Sequence, residues 1–169
     1  MEISRIRILA LYFMFSVAVV LGLFPDLMLQ NISFLMYSVV LIFAYVFRWG
    51  RRKNDDLESH HCTYLIRSIW IFSCLAAVAI VGAGYMVGQQ ADASALDGLL
   101  GRIESAGQVP SEADLDAAFK VYYTTNQDLI FQLYRLWMCP ALAYGAWRII
   151  RGGVRAFRGY RIAHPRSWN

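Results

Sequence analysis

Charge is scarce in this sequence: Asp, Glu, Lys and Arg make up only 17% of its 169 residues. A soluble globular domain carries about 25% charged and about 45–50% apolar residues. Here 58% of residues are hydrophobic and the mean hydropathy is +0.41, which excludes an ordinary soluble domain and points to a membrane protein. Paired cysteines are missing too. Cys62, Cys74 and Cys139 are an odd set without CxxC spacing, which argues against a disulfide framework or a structural zinc site and for small apolar packers. There is no glycine-rich phosphate loop behind a strand, no GxSxG and no HExxH, so no familiar enzyme or cofactor is indicated. No pair of acidic residues lies inside an apolar run, where a proton-coupled pump needs one. Internal repeats and low-complexity tracts are also absent, and residues 1–169 are read as a single membrane domain.

What the chain does have is four apolar runs. A hydrocarbon core of ~30 Å takes about 20 apolar residues in a helix, with ~17 as the lower limit. Residues 8–24 contain no charge and end at Leu23-Phe24-Pro25 without a small-x-small cleavage pattern, so this run is read as a retained span rather than a signal peptide. Pro25-Asp26 ends it, and Asn31 is placed to cap the next run, 32–48, which closes on Arg48-Trp49-Gly50-Arg51-Arg52-Lys53. The third span covers 64–87 and the fourth 129–150. The expected fold is all-α: an integral membrane four-helix bundle with a short helical external insertion between spans three and four.

The basic residues set the orientation. Of the 16 Lys and Arg, all but Arg102, Lys120 and Arg135 fall near the N-terminus, around the loop between spans two and three, or in the region from Arg148 to the C-terminus. Four spans put those three regions on one face, and the positive-inside rule makes that face cytoplasmic. The expected location is a bacterial inner membrane, with both termini cytoplasmic.

Residues 88–128 are then external, and they are acidic: Asp92, Asp97, Glu104, Glu112, Asp114, Asp116 and Asp128. Leu96, Leu99, Leu100 and Ile103 form one helical stripe. Beyond Pro110, Ser111 and Asp114 resemble a capping box ahead of a second stripe, Leu115, Ala118, Phe119, Tyr122 and Tyr123. Such helices lie on the interface, cover helix ends or form a partner surface. The tail 151–169 interleaves arginines with Phe157, Tyr160 and Trp168. Beside a span this pattern suits anionic lipid, at ~1 kcal/mol per cation, better than nucleic acid. Arg151, Arg155 and Arg158 are the lipid-contact candidates, and Gly152-Gly153 is expected to weaken the helix there, at ~1 kcal/mol per glycine.

Two groups of residues stand out as contact candidates for a partner or solute. Arg135 lies inside the fourth span, one turn after Gln132, where an arginine at mid-membrane costs ~2.5–3.5 kcal/mol on the mildest scale. Snorkelling, a structural pair with Asp128 or Asp26, and a contact to another subunit or a solute are the alternatives. Pro140 is expected to kink this helix. The second group is Glu58, His60, His61, Cys62 and Arg67, at the start of the third span. His60, Tyr64, Arg67 and Ile71 share one helix face; Glu58, His61 and Cys62 share another. The latter three give poor metal geometry without a ligand from elsewhere, so no metal is assigned. Arg67 is expected to anchor the span and to bond loop carbonyls or Glu58. In the third span, Gly84-x-x-x-Gly88 is a small-xxx-small pattern for close helix packing.

Glu58-Ser59-His60, followed by Ile66-Arg67-Ser68-Ile69-Trp70 and by Arg148-Ile-Ile-Arg151-Gly152, resembles a signature of small four-span bacterial membrane proteins of unknown function. That group is distantly similar to the twenty-kilodalton inner-envelope component of chloroplast protein import. The resemblance implies a four-helix membrane architecture and no defined activity; Ile69 in place of an aromatic and the 88–128 insertion depart from the pattern. The functional expectation is an accessory or assembly subunit that contacts other membrane subunits and anionic lipid, not an enzyme. The alternative is a small homo-oligomeric channel or transporter with a solute path near Arg135; a membrane enzyme using His60, His61 and Cys62 ranks third.

Overall fold

The computed structural model describes residues 2–24, 26–49, 56–106 and 110–162, and its elements are all helical. In order they are α1 Glu2–Leu21, α2 Leu27–Trp49, α3 Leu57–Gln90, α4 Ser94–Ala106 and α5 Glu112–Phe157. Among the described residues, Ile3–Leu21, Leu27–Trp49 and Leu57–Gln90 are long and apolar enough to cross a membrane. This gives an all-α fold of membrane-spanning character, with five helices and three candidate spans where four were expected. The difference lies in α5, which contains the predicted fourth run but joins it to the polar stretch 112–128 and carries Gln132, Arg135 and Arg148. The basic loop residues Arg51, Arg52 and Lys53, and the tail residues Arg166 and Trp168, lie outside the described residues.

Helix starts follow from side-chain caps. Asp26 Oδ1 accepts the Leu29 N–H at 2.9 Å, so α2 begins ahead of Asn31, the cap expected from sequence. Asp56 caps α3 in the same way, taking the Ser59 N–H at 2.9 Å. Ser111 and Asp114 form the expected capping box at the start of α5: the Asp114 N–H donates to Ser111 Oγ, and the Ser111 N–H to Asp114 Oδ2, both at 3.2 Å.

The stripe that ends at Tyr123 and the apolar run that starts at residue 129 belong to one continuous helix, α5. Thr124 Oγ1 donates back to Lys120 O and Val121 O, each at 2.9 Å, so its hydroxyl is satisfied within the helix. Pro140 is accommodated inside α5 without ending it. Gly152-Gly153 do not end it either. The stop comes at Gly159, whose φ of 73° is the left-handed conformation glycine adopts readily. The Tyr160 N–H donates to Arg155 O at 2.8 Å and the Gly159 N–H to Ala156 O at 3.1 Å, which is the Schellman pattern.

The chain divides into two compact units. The first, Met1–Ala79 with Met138–Asn169, contains the α1–α2 hairpin, most of α3 and the C-terminal part of α5. Ile8, Leu11, Phe15, Val40, Leu65, Phe72 and Ala141 are buried in its core. Ser33 Oγ ties the hairpin by donating to Ala18 O at 2.8 Å, and Gly145 lets α5 approach so closely that a Cβ there would lie 3.0 Å from Phe72. Close backbone approach of this kind is how helices associate in lipid, where apolar burial gives little driving force. On α2, Leu27, Met28, Phe34, Leu35, Ile42 and Val46 face outward, as lipid contact requires.

The second unit is Ile80–Trp137. Asn126, almost fully buried, is its pin: Oδ1 accepts the Asp92 N–H at 2.8 Å, and Nδ2 donates to Asp92 O and Tyr122 O, both at 2.9 Å. The Ser94 amide donates to the Asp92 carboxylate, and chiefly this bond holds its pKa below the usual carboxylate value. The close packing expected of the small-xxx-small pattern is not seen among the described residues, where a Cβ at Gly84 or Gly88 would meet nothing within 4 Å. Gly82 is the close-packed glycine, with the Trp137 ring where its Cβ would sit.

Candidate functional site

The sequence singled out the start of α3 for its charge. The structure shows that its buried face organises two polar features of the first unit. Glu58, His61, Tyr64 and Ser68 are each at most 1% exposed.

The first feature is a histidine clamp on the chain beyond α5. After the Gly159 turn, His61 Nε2 meets Tyr160 O at 3.0 Å and His60 Nδ1 meets Ile162 O at 2.8 Å. Carbonyls only accept, so both ring nitrogens carry the proton. With Nε2 protonated, the neutral His61 ring accepts at Nδ1 from the Tyr12 hydroxyl, 3.1 Å away. Both nitrogens of His61 and one of His60 are thereby engaged in hydrogen bonds, and Ile162 is buried in the core. Arg7 Nη1 stands 4.0 Å from Glu58 Oε1. Among the described residues no group of His, Cys, Asp and Glu has a geometry that suits a metal ion.

The second feature is Arg148, which the sequence placed among the topogenic charges and at the head of the Arg148–Gly152 resemblance. It is 1% exposed and the largest fully buried side chain among the described residues. Its Nε donates to Ser68 Oγ at 2.8 Å, and Ser68 donates on to Tyr64 O at 2.7 Å. The guanidinium carbon stands 3.6 Å from the Tyr64 ring centroid and 5.7 Å from that of Tyr144. Among the described residues neither Nη1 nor Nη2 has a hydrogen-bond partner, nor does the Tyr64 hydroxyl. A desolvated cation over an aromatic face gains about 2 kcal/mol. Burying an ion costs several kcal/mol unless it is paired, so the ring alone does not offset the burial. The sequence signal for this inward position is a small-residue stripe on α5: Ala141, Gly145, Gly152 and Ala156 are all buried, and Arg148 lies in the same register.

Comparison with protein-family models, curated proteins and solved structures finds no match to this chain.

The remaining sequence candidates are distributed differently. Arg67, Arg151 and Arg155 are half-buried, while Arg158 is exposed. Arg135 and Gln132 are both exposed on α5, as is Asp128; Asp26 is spent capping α2. Of the second stripe, Leu115, Phe119 and Tyr123 stand exposed on α5, while Ala118 and Tyr122 are half-buried.

Proposed function

We propose that this protein is a four-span subunit of a bacterial inner-membrane complex, with residues 129–150 of α5 as the fourth span and both termini in the cytoplasm. It acts by accessory or assembly contacts with other membrane subunits, and through Arg151, Arg155 and Arg158 with anionic lipid. The resemblance to small four-span bacterial membrane proteins supports the architecture. The observation that carries the functional reading is the exposed stripe Leu115, Phe119 and Tyr123 on the part of α5 that precedes the fourth span. Aromatic side chains exposed together on one helix face are suited to helix-in-groove recognition by another protein. In the alternative, a homo-oligomeric channel, a second copy has to enclose Arg135 and Gln132, since both are exposed on this chain.

A photo-crosslinking amino acid at position 119, activated in native membranes, tests this. The expected product is a discrete adduct with a different polypeptide, lost when Leu115 and Tyr123 are both changed to serine. An adduct of twice the monomer mass favours the channel, and the absence of any protein adduct removes the subunit reading.

A further inference from the structure

The run 129–150 of α5 holds two charged side chains, and it buries one and exposes the other: Arg148 faces in, Arg135 faces out. Arg135 lies six residues past Leu129, about 9 Å below the outer surface at a rise of 1.5 Å per residue. Gln132, one turn nearer that surface, is exposed as well. Among the described residues no hydrogen bond or ion pair reaches either side chain. A charge turned toward hydrocarbon is costly, and arginines at such depth are as a rule paired.

The chain has no group of its own to pair with Arg135. Its last carboxylate in sequence, Asp128, stands about 10 Å nearer the surface along α5, and the two make no ion pair. None of the runs 8–24, 32–48, 64–87 and 129–150 contains an Asp or Glu. A second copy fails on the same ground, since it brings no carboxylate to that depth. Copies inserted in one orientation also hold each residue at one depth, so a symmetric interface here sets Arg135 against Arg135, and like charges repel. Rising toward the outer headgroups, the guanidinium would meet Asp128 first, and that pair is not formed.

We propose that Arg135 and Gln132 form the docking point for a transmembrane helix of a different polypeptide, one that carries a single Asp or Glu at the depth of Arg135. The guanidinium fork takes both carboxylate oxygens, and the Gln132 amide adds a hydrogen bond across the helix pair. One carboxylate balances one arginine and leaves no net charge in the hydrocarbon. The inference deepens the subunit reading and rests on α5 as a span, but not on the stripe Leu115, Phe119 and Tyr123.

The test uses the full chain in two settings. In phosphatidylcholine liposomes at mildly alkaline pH, energy transfer reads association with a synthetic Leu-Ala transmembrane peptide of about 20 residues. The peptide carries either Asp or Leu about 9 Å below one surface. The Asp peptide is expected to bind roughly tenfold more tightly than the Leu peptide. Arg135→Leu is expected to abolish that preference, and Arg135→Lys, which keeps the charge, to retain most of it. In native membranes a photo-crosslinking amino acid replaces Leu136, exposed next to Arg135. The expected adduct is with a different polypeptide, lost in Arg135→Leu and kept in Arg135→Lys. Equal binding of the two peptides, an adduct of twice the monomer mass, adducts with lipid alone, or a protein adduct indifferent to Arg135→Leu each overturns the docking point. Crosslinking at position 119 reads the proposed subunit role separately: an adduct there with none at 136 removes this inference and leaves that reading in place.

Discussion

Replacing His61 with leucine is expected to destabilise the protein by about 3 kcal/mol and to release residues 158–162 from the bundle. The substitution keeps bulk but removes both hydrogen bonds, leaving the Tyr12 hydroxyl and Tyr160 O without the ring that joins them. A buried group stranded in this way costs ~1–3 kcal/mol; the Tyr12 hydroxyl is buried, and the part-buried bond to Tyr160 O is lost with it. Tyr12→Phe serves as the internal comparison. It leaves His61 Nδ1 without its donor but keeps the His61–Tyr160 bond, so about half the loss is expected and the tail stays docked. Thermal unfolding in detergent reads the stability. Amide exchange over residues 158–162 reads the tail, with rapid exchange expected in His61→Leu and near-native protection in Tyr12→Phe. Unchanged protection in His61→Leu would show that burial of Ile162, not the clamp, holds the segment.

The two adjacent glycines of α5 are expected to respond in opposite directions. A Cβ at Gly152 would strike the Tyr12 hydroxyl and lie 2.5 and 2.6 Å from ring carbons Cζ and Cε1. Tyr12 cannot swing away cheaply, being 4% exposed in the core and held by His61. Gly152→Ala is therefore expected to cost about 2 kcal/mol, as overpacking of a filled interior does. Among the described residues a Cβ at Gly153 meets nothing within 4 Å. Gly153→Ala is expected to stabilise the protein by about 0.5–1 kcal/mol, the ordinary helix preference for alanine. Melting temperatures of the two variants, measured side by side, decide this. Destabilisation by both would mean that Gly153 is packed against something the bundle alone does not contain.

These contrasts show where a one-dimensional reading works and where it stops. The apolar runs, the acidic stretch 88–128, and the Ser111–Asp114 cap depend on neighbours in sequence, and they can be read without coordinates. Continuity of α5 through Thr124 and Asn126 cannot, because polar side chains at those positions suit a loop until their partners are known. Thr124 bonds back within its own helix, and Asn126 reaches Asp92 across the fold. Gly152 and Gly153 look equally helix-weakening in sequence, yet only one lies against Tyr12. Arg148 was hidden for a similar reason. Near the end of an apolar run an arginine reads as a positive-inside charge, and only the packing of α5 on Ser68 and Tyr64 shows that it points inward. Arg135 is the converse, conspicuous in sequence and exposed in the fold.

The central claim is that α5 crosses the membrane, which places Arg158 and Asp116 on opposite sides. With Cys62, Cys74 and Cys139 replaced, single cysteines at 116 and 158 can be challenged with a membrane-impermeant maleimide in intact cells and again after permeabilisation. The account predicts labelling of Asp116→Cys in intact cells and of Arg158→Cys only once the membrane is opened. Labelling of both from outside would mean three spans and a C-terminal region beyond the membrane, which contradicts it.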